Sequence, residues 1–108
     1  MVEYALQLDT IFQSLADPTR RDMLRRLAGY ELSVGELAGK YDVSFAAISK
    51  HLKVLERAKL VRKRKEGKKY MVALVPDTLK EADEYLRQYQ QMWESRYDKL
   101  DTLLKEGV

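Results

Sequence analysis

Cysteine is absent from the 108-residue chain, which removes disulfides, thiolate metal sites and cysteine redox sensing together. Histidine occurs once, at His51. A zinc site needs about four N, S or O ligands, usually with His or Cys among them, so one imidazole per chain makes a poor site. No run of about 18 apolar residues exists, so no membrane-spanning helix is expected. The start, Met1-Val2-Glu3-Tyr4, lacks the basic-then-apolar pattern of a signal peptide, and a cytoplasmic location is expected. There is no Gly-rich phosphate loop and no Ser/His/Asp arrangement. Glu81, Asp83 and Glu84 are acidic neighbours, but such a group on a helix is ordinary solvated charge. Neither an enzyme nor a cofactor is expected. The length predicts one domain, residues 1–108, with a modest core.

What is present is basic charge in one place. Between Lys50 and Lys69 stand ten Lys or Arg against Glu56 and Glu66, a local +8 that leaves −5 for the remainder of a chain of net +3. A solvated charged face is the common explanation of a charge run. Here the run falls on a helix and hairpin of a particular layout, and the combination points to a phosphate-contacting surface.

Leu8, Ile11, Phe12 and Leu15 fall at i, i+3, i+4 and i+7, an amphipathic first helix. Asp17-Pro18 supplies an N-cap and a first helical residue whose missing N–H costs nothing. The second helix carries Met23, Leu24 and Leu27 inward and is expected to end at Gly29, with Arg20, Arg21, Arg25 and Arg26 facing solvent or acids. Ser33 and Glu36 have capping-box spacing for a third helix, whose apolar stripe is Val34, Leu37, Ala38 and Tyr41. A short turn follows, in which Val43 is expected to plug the angle between helices. Ser44 caps a fourth helix with Phe45, Ile48, Leu52 and Leu55 inward. Ala46, Ala47, Ser49, Lys50 and Lys53 are left outward. Small residues near a helix start let it sit deep in the DNA major groove, and Ala can touch a thymine methyl. Ser49 and Lys50 reach base edges or phosphates. Residues 33–57 therefore read as a helix-turn-helix.

Residues 60–75 read as a hairpin. Leu60-Val61 begins a strand, Glu66-Gly67 supplies the turn, and Tyr70, Val72 and Leu74 alternate on the return. Arg62, Arg64, Lys65, Lys68 and Lys69 cluster towards the tip, where they would give affinity through phosphates more than sequence choice. The fold class is thus mainly α with a small β-hairpin wing, a winged helix-turn-helix, and the partner is double-stranded DNA. The candidate contacts are Ser44, Ala46, Ala47, Ser49, Lys50, His51, Lys53, Arg62, Arg64, Lys65, Lys68 and Lys69.

The remainder, 77–105, reads as one long helix of about 40 Å. Leu79, Ala82, Leu86, Tyr89, Trp93, Leu100 and Leu103/Leu104 recur along it at mostly three- and four-residue spacings. Such a helix cannot bury its stripe against so small a domain. Tyr85, Met92 and Tyr97 make the stripe aromatic-rich, as interface cores are. A homodimer through Leu8, Phe12, Leu86, Tyr89, Trp93 and Leu100 is the expectation, with an aromatic ligand pocket as the minor alternative.

Five segments together resemble the arsenical-resistance-repressor (ArsR/SmtB) family. They are Leu15-Ala16-Asp17-Pro18-Thr19-Arg20, Glu31 to Leu37, Ser49-Lys50-His51-Leu52-Lys53-Val54-Leu55, Ala58-Lys59-Leu60-Val61 and Glu66-Gly67-Lys68-Lys69-Tyr70. Their order from about Ile11 to Leu74 is the specific signal. The resemblance implies a homodimeric bacterial or archaeal repressor on an inverted-repeat operator, paired through its first and last helices. Many soft-metal sensors of this family carry two cysteines in the third helix, at positions that hold Ser33 and Gly35 here. A zinc-binding group uses His and carboxylates on the last helix, yet 79–105 contains no His. The chain thus resembles the metal-independent branch, and no metal is expected. Two other readings stay open: a winged-helix adaptor for another protein, and a repressor sensing a small ligand.

Overall fold

A computed structural model describes residues 2–105, with side chains from Leu6 onward. Met1 and 106–108, counted within the expected 1–108 domain, lie outside the described residues. Helix α1 (Val2–Ser14) leads into α2 (Pro18–Leu27). The Asp17 carboxylate accepts the Arg20 backbone N–H at 3.0 Å and caps α2, with Pro18 in its first turn. Past Ala28 the chain turns at Gly29, whose φ of +87° is open to a residue without Cβ.

Strand β1 (Leu32–Ser33) and helix α3 (Val34–Ala38) follow. The capping box is complete: Ser33 Oγ accepts the Glu36 N–H at 3.0 Å and Glu36 Oε1 accepts the Ser33 N–H at 3.1 Å. Helix α4 (Phe45–Arg57) is capped by Ser44 Oγ, which accepts the Ala47 N–H at 3.1 Å. It turns Ile48, Leu52 and Leu55 into the core. There they meet Ile11, Met23, Leu27, Leu37, Leu60 and Val72, all essentially without solvent contact.

The end of α4 is built by backbone geometry. The Leu60 N–H reaches the Leu55 carbonyl (3.0 Å) and the Lys59 N–H the Glu56 carbonyl (2.9 Å). That pair of bonds is a Schellman motif, with Leu55 and Leu60 both buried in the same core cluster. Its left-handed position is taken by Lys59, at φ +60°, where glycine is usual.

Strands β2 (Val61–Glu66) and β3 (Lys69–Leu74) form the wing. They pair antiparallel with Val61 opposite Leu74 and Glu66 opposite Lys69. The Gly67-Lys68 turn has positive φ only at Gly67, as a type II′ turn requires. The sheet has a third member, β1, in the order β1-β3-β2. Leu32 faces Val72 and Ser33 faces Met71. Two residues carry no readable period, so only a hairpin was legible in the sequence.

Four expectations are corrected. Val43 does not plug the helix angle and Phe45 does not point inward; they are 53% and 59% exposed. Phe45 has the right spacing, but the α4 stripe runs beyond the end of the core. Tyr41 lies past the end of α3. Its hydroxyl donates to Asp22 at 2.7 Å, and its ring sits 5.4 Å beneath the Arg26 guanidinium. The last helix is not continuous: α5 (Pro76–Arg87) and α6 (Gln90–Lys105) are separate. At the junction the Tyr89 N–H bonds to the Leu86 carbonyl and the Met92 N–H to the Tyr89 carbonyl, three-residue steps that tighten the turn between the helices.

Helix α5 returns to α1 through the Gln7 to Glu81 hydrogen bond (2.7 Å) and an edge-to-face contact of Phe12 with Tyr85 at 5.7 Å. Helix α6 buries nothing.

Candidate nucleic-acid interface

Helix α4 divides by face. Opposite its buried residues, Ala46, Lys50 and Lys53 are exposed, with Ala47 and Ser49 half-buried beside them. Ser44 is exposed but its hydroxyl is occupied as the cap. Small side chains at the start and cations a turn later give a surface that a helix can lay into a groove.

The His51 side chain lies against the body. Its Nδ1 lies 3.8 Å from the Asp17 carboxylate and 3.4 Å from Arg20 Nη1, against the start of α2. The backbone N–H of Arg20 holds the Asp17 carboxyl below its ordinary range.

The wing cations also divide. Arg64 is bonded through two guanidinium nitrogens to Glu31 and pairs with Glu66 at 2.9 Å. Glu31 is correspondingly held below the usual carboxylate range by Arg64. The reason lies across the sheet: Arg64 and Ser33 both oppose Met71, so Glu31, just before β1, reaches Arg64. Lys63 ties the wing root to α4 through Glu56 at 3.6 Å and lies 5.5 Å from the centre of the Tyr70 ring. Arg62, Lys65, Lys68 and Lys69 are exposed and make no ion pair among the described residues. The sequence shows the cations; it does not show that Glu31 takes one of them.

The expected dimer residues split as well. Leu8 is already buried within the chain and Phe12 is packed on the core. Leu86, Tyr89, Trp93 and Leu100 stand exposed, together with Met92, Tyr97, Leu103 and Leu104. Among the described residues no three His, Asp or Glu side chains gather within reach of one metal ion, and no helix is long and apolar enough to cross a membrane.

A capped three-helix core, a basic second helix of a helix-turn-helix and a three-stranded wing define the winged helix-turn-helix class of DNA-binding regulators. A helix-turn-helix domain model matches residues 15–64. The chain is 48% identical over 71 residues to the HTH-type transcriptional regulator Rv2034 of Mycobacterium tuberculosis, covering 66% of each. It is 32% identical to the transcriptional repressor SdpR of Bacillus subtilis over 56% of this chain and 67% of that one. The chain thus spans about two thirds of the length of these curated relatives. A crystal structure of an ArsR family transcriptional regulator superposes with a TM-score of 0.77 at 36% identity, covering 84% of this chain and 94% of that one. The chain belongs to the ArsR family of transcriptional regulators.

Proposed function

We propose that the chain is a homodimeric repressor that reads an inverted-repeat operator in the cytoplasm and releases it without a metal switch. The observation that carries the DNA-reading part is the pairing of an open α4 face, Lys50 and Lys53, with four wing cations, Arg62, Lys65, Lys68 and Lys69, that form no ion pair among the described residues. Each α4 would enter a major groove while Lys65, Lys68 and Lys69 grip flanking phosphates. A two-fold dimer presents two such helices, matching half-sites about 34 Å apart. Repression follows from occupying the promoter.

The dimer is supported by surface left uncovered. The chain exposes 8158 Å², against about 6,200 Å² for a compact monomer of its mass. Its radius of gyration is 18.4 Å, against about 13 Å for a compact domain of roughly 100 residues. The excess lies along α6. Absence of a thiolate switch is supported at two positions: Ser33 is committed to capping α3, and Gly35 carries no side chain.

The test is binding of the EDTA-treated chain to DNA upstream of its own gene, with a scrambled duplex as competitor and a promoter reporter alongside. Specific, salt-sensitive binding unchanged by zinc, with reporter output rising when the protein is removed, is the expected result. Reporter output that falls on removal overturns repression. Binding no tighter than to the scrambled duplex favours the adaptor reading, in which α6 carries the partner surface.

A further inference from the structure

We propose that Arg20 and His51 are positioning residues, a joint that fixes the rotation of α4 against α1 and α2 and thereby sets operator specificity. The inference rests on the reading of α4 as the groove-reading helix. Arg20 stands where three elements converge. Its Nε donates to the Ser14 carbonyl at 2.6 Å and its Nη2 to the Gln13 carbonyl at 3.1 Å, at the last turn of α1. Its backbone N–H is the one that Asp17 captures to start α2. Its Nη1 reaches His51 Nδ1 at 3.4 Å, midway along α4, and the Asp17 oxygen that caps α2 lies 3.8 Å from the same nitrogen. Arg21 adds a bond to the Leu15 carbonyl at 2.8 Å, so the orphan carbonyls that end α1 are held by side chains of α2.

Core packing by Ile48, Leu52 and Leu55 resists translation of α4 but offers no directional bond. Hydrogen bonds are directional, and among the described residues the Arg20–His51 contact is the polar tie between the middle of α4 and the body. The side chains that read DNA stand about 5–6 Å from the helix axis. A rotation of roughly 10° therefore moves Lys50 and Ser49 by about 1 Å, enough to break a base-edge hydrogen bond. Phosphate contacts by flexible lysines tolerate the same movement. Loss of the joint should therefore cost specificity while sparing non-specific affinity.

The chemistry of the joint asks for an acceptor at Nδ1, because a guanidinium only donates. Asparagine places its side-chain oxygen near that position, whereas glutamine places its own near Nε2. His51→Ala should weaken operator binding by about tenfold, comparable to one mismatched base pair. Affinity for a scrambled duplex and the salt slope should stay as in the parent chain, and His51→Asn should recover most of the loss. Sedimentation and thermal unfolding of each variant, with Arg20→Lys beside them, separate the joint from a folding defect.

A salt slope that falls by about one unit with His51→Ala, or recovery by His51→Gln instead of His51→Asn, would make His51 a phosphate contact and overturn the proposal. An unchanged ratio of specific to non-specific affinity also overturns it. A parent chain that does not discriminate operator from scrambled DNA overturns the reading of α4, and the joint with it.

Discussion

The body of the protein and α6 have the same kind of apolar periodicity and opposite fates. In the body, Ile11, Leu37, Ile48, Leu55 and Leu60 are completely buried around one core. In α6, Trp93, Leu100 and Leu104 recur with equal regularity, yet no residue is buried. The first stripe meets partners supplied by the same chain; the second does not. A stripe at helical spacing thus specifies that a face will be covered, and by what is decided by the geometry of the rest of the chain. Beyond the break at Gln88-Tyr89, α6 buries none of its residues.

The sharpest break of this contrast is a large-to-small change on each side. Ile48→Ala should destabilise the chain by about 2–5 kcal/mol, since it removes a buried branched side chain from a closed core. Denaturant titration of the variant reads this directly, and a loss under 1 kcal/mol would mean that α4 packs loosely. Trp93→Ala should leave each chain folded and weaken the dimer, by about 2 kcal/mol or more if Trp93 is a central anchor. Equilibrium sedimentation over a dilution series checks it. A variant as dimeric as the parent at low concentration would show that the α6 stripe is not the interface.

A second pair of changes compares the two kinds of wing cation. Replacing Lys68 and Lys69 together by Ala should reduce the slope of log affinity against log salt by roughly 1.8, about 0.9 for each phosphate lost. Arg64→Ala should change that slope much less, because Glu31 and Glu66 already hold its guanidinium. Equal effects would mean that Arg64 leaves Glu31 for DNA.

Smaller effects belong to the body's polar fittings. Tyr41 donates to Asp22, which Arg25 and Arg26 also hold. That hydrogen bond, followed by the two arginines, sets the Asp22 carboxyl far below its ordinary value. Burial and Asp22 push the Tyr41 hydroxyl up to about 12. The depressed acid contributes stability that is full above its unfolded pKa near 3.8 and is lost as pH falls through the lower folded value. The raised phenol contributes stability that is full below its unfolded pKa near 10 and is lost as pH rises towards 12. Thermal unfolding from pH 2 to 11 should therefore show Tyr41→Phe less stable than the parent near neutrality, with the gap closing in acid. Lys59→Gly should raise stability by about 1 kcal/mol or less, by relieving a left-handed side chain. No gain in melting temperature would show that the Lys59 conformation costs nothing.

Much of the fold was legible because its signals are local. Asp17-Pro18, the Ser33/Glu36 box and Ser44 each satisfy backbone N–H groups within three residues, so their effect does not depend on distant chain. The inward faces of α2 and α4 follow from 3.6-residue periodicity, except at Phe45, where periodicity has no way to register that the core has ended. The two-residue β1, the Arg64–Glu31 pair and the approach of His51 to Asp17 and Arg20 all join residues more than 30 positions apart. Nothing in the spacing of either partner announces the other.

The sequence by itself determined where α2, α3 and α4 start, which of their residues seek the core, where the basic charge gathers and that thiolate chemistry is impossible. These rest on short-range capping, on apolar periodicity and on composition. Only the tertiary structure decided which cations remain open on the wing, that the His51 side chain lies against the start of α2, and that the C-terminal stripe breaks at Gln88-Tyr89 and stays uncovered. Each of those depends on which distant groups come within a few ångströms. That is set by packing the whole chain, not by any one segment of it.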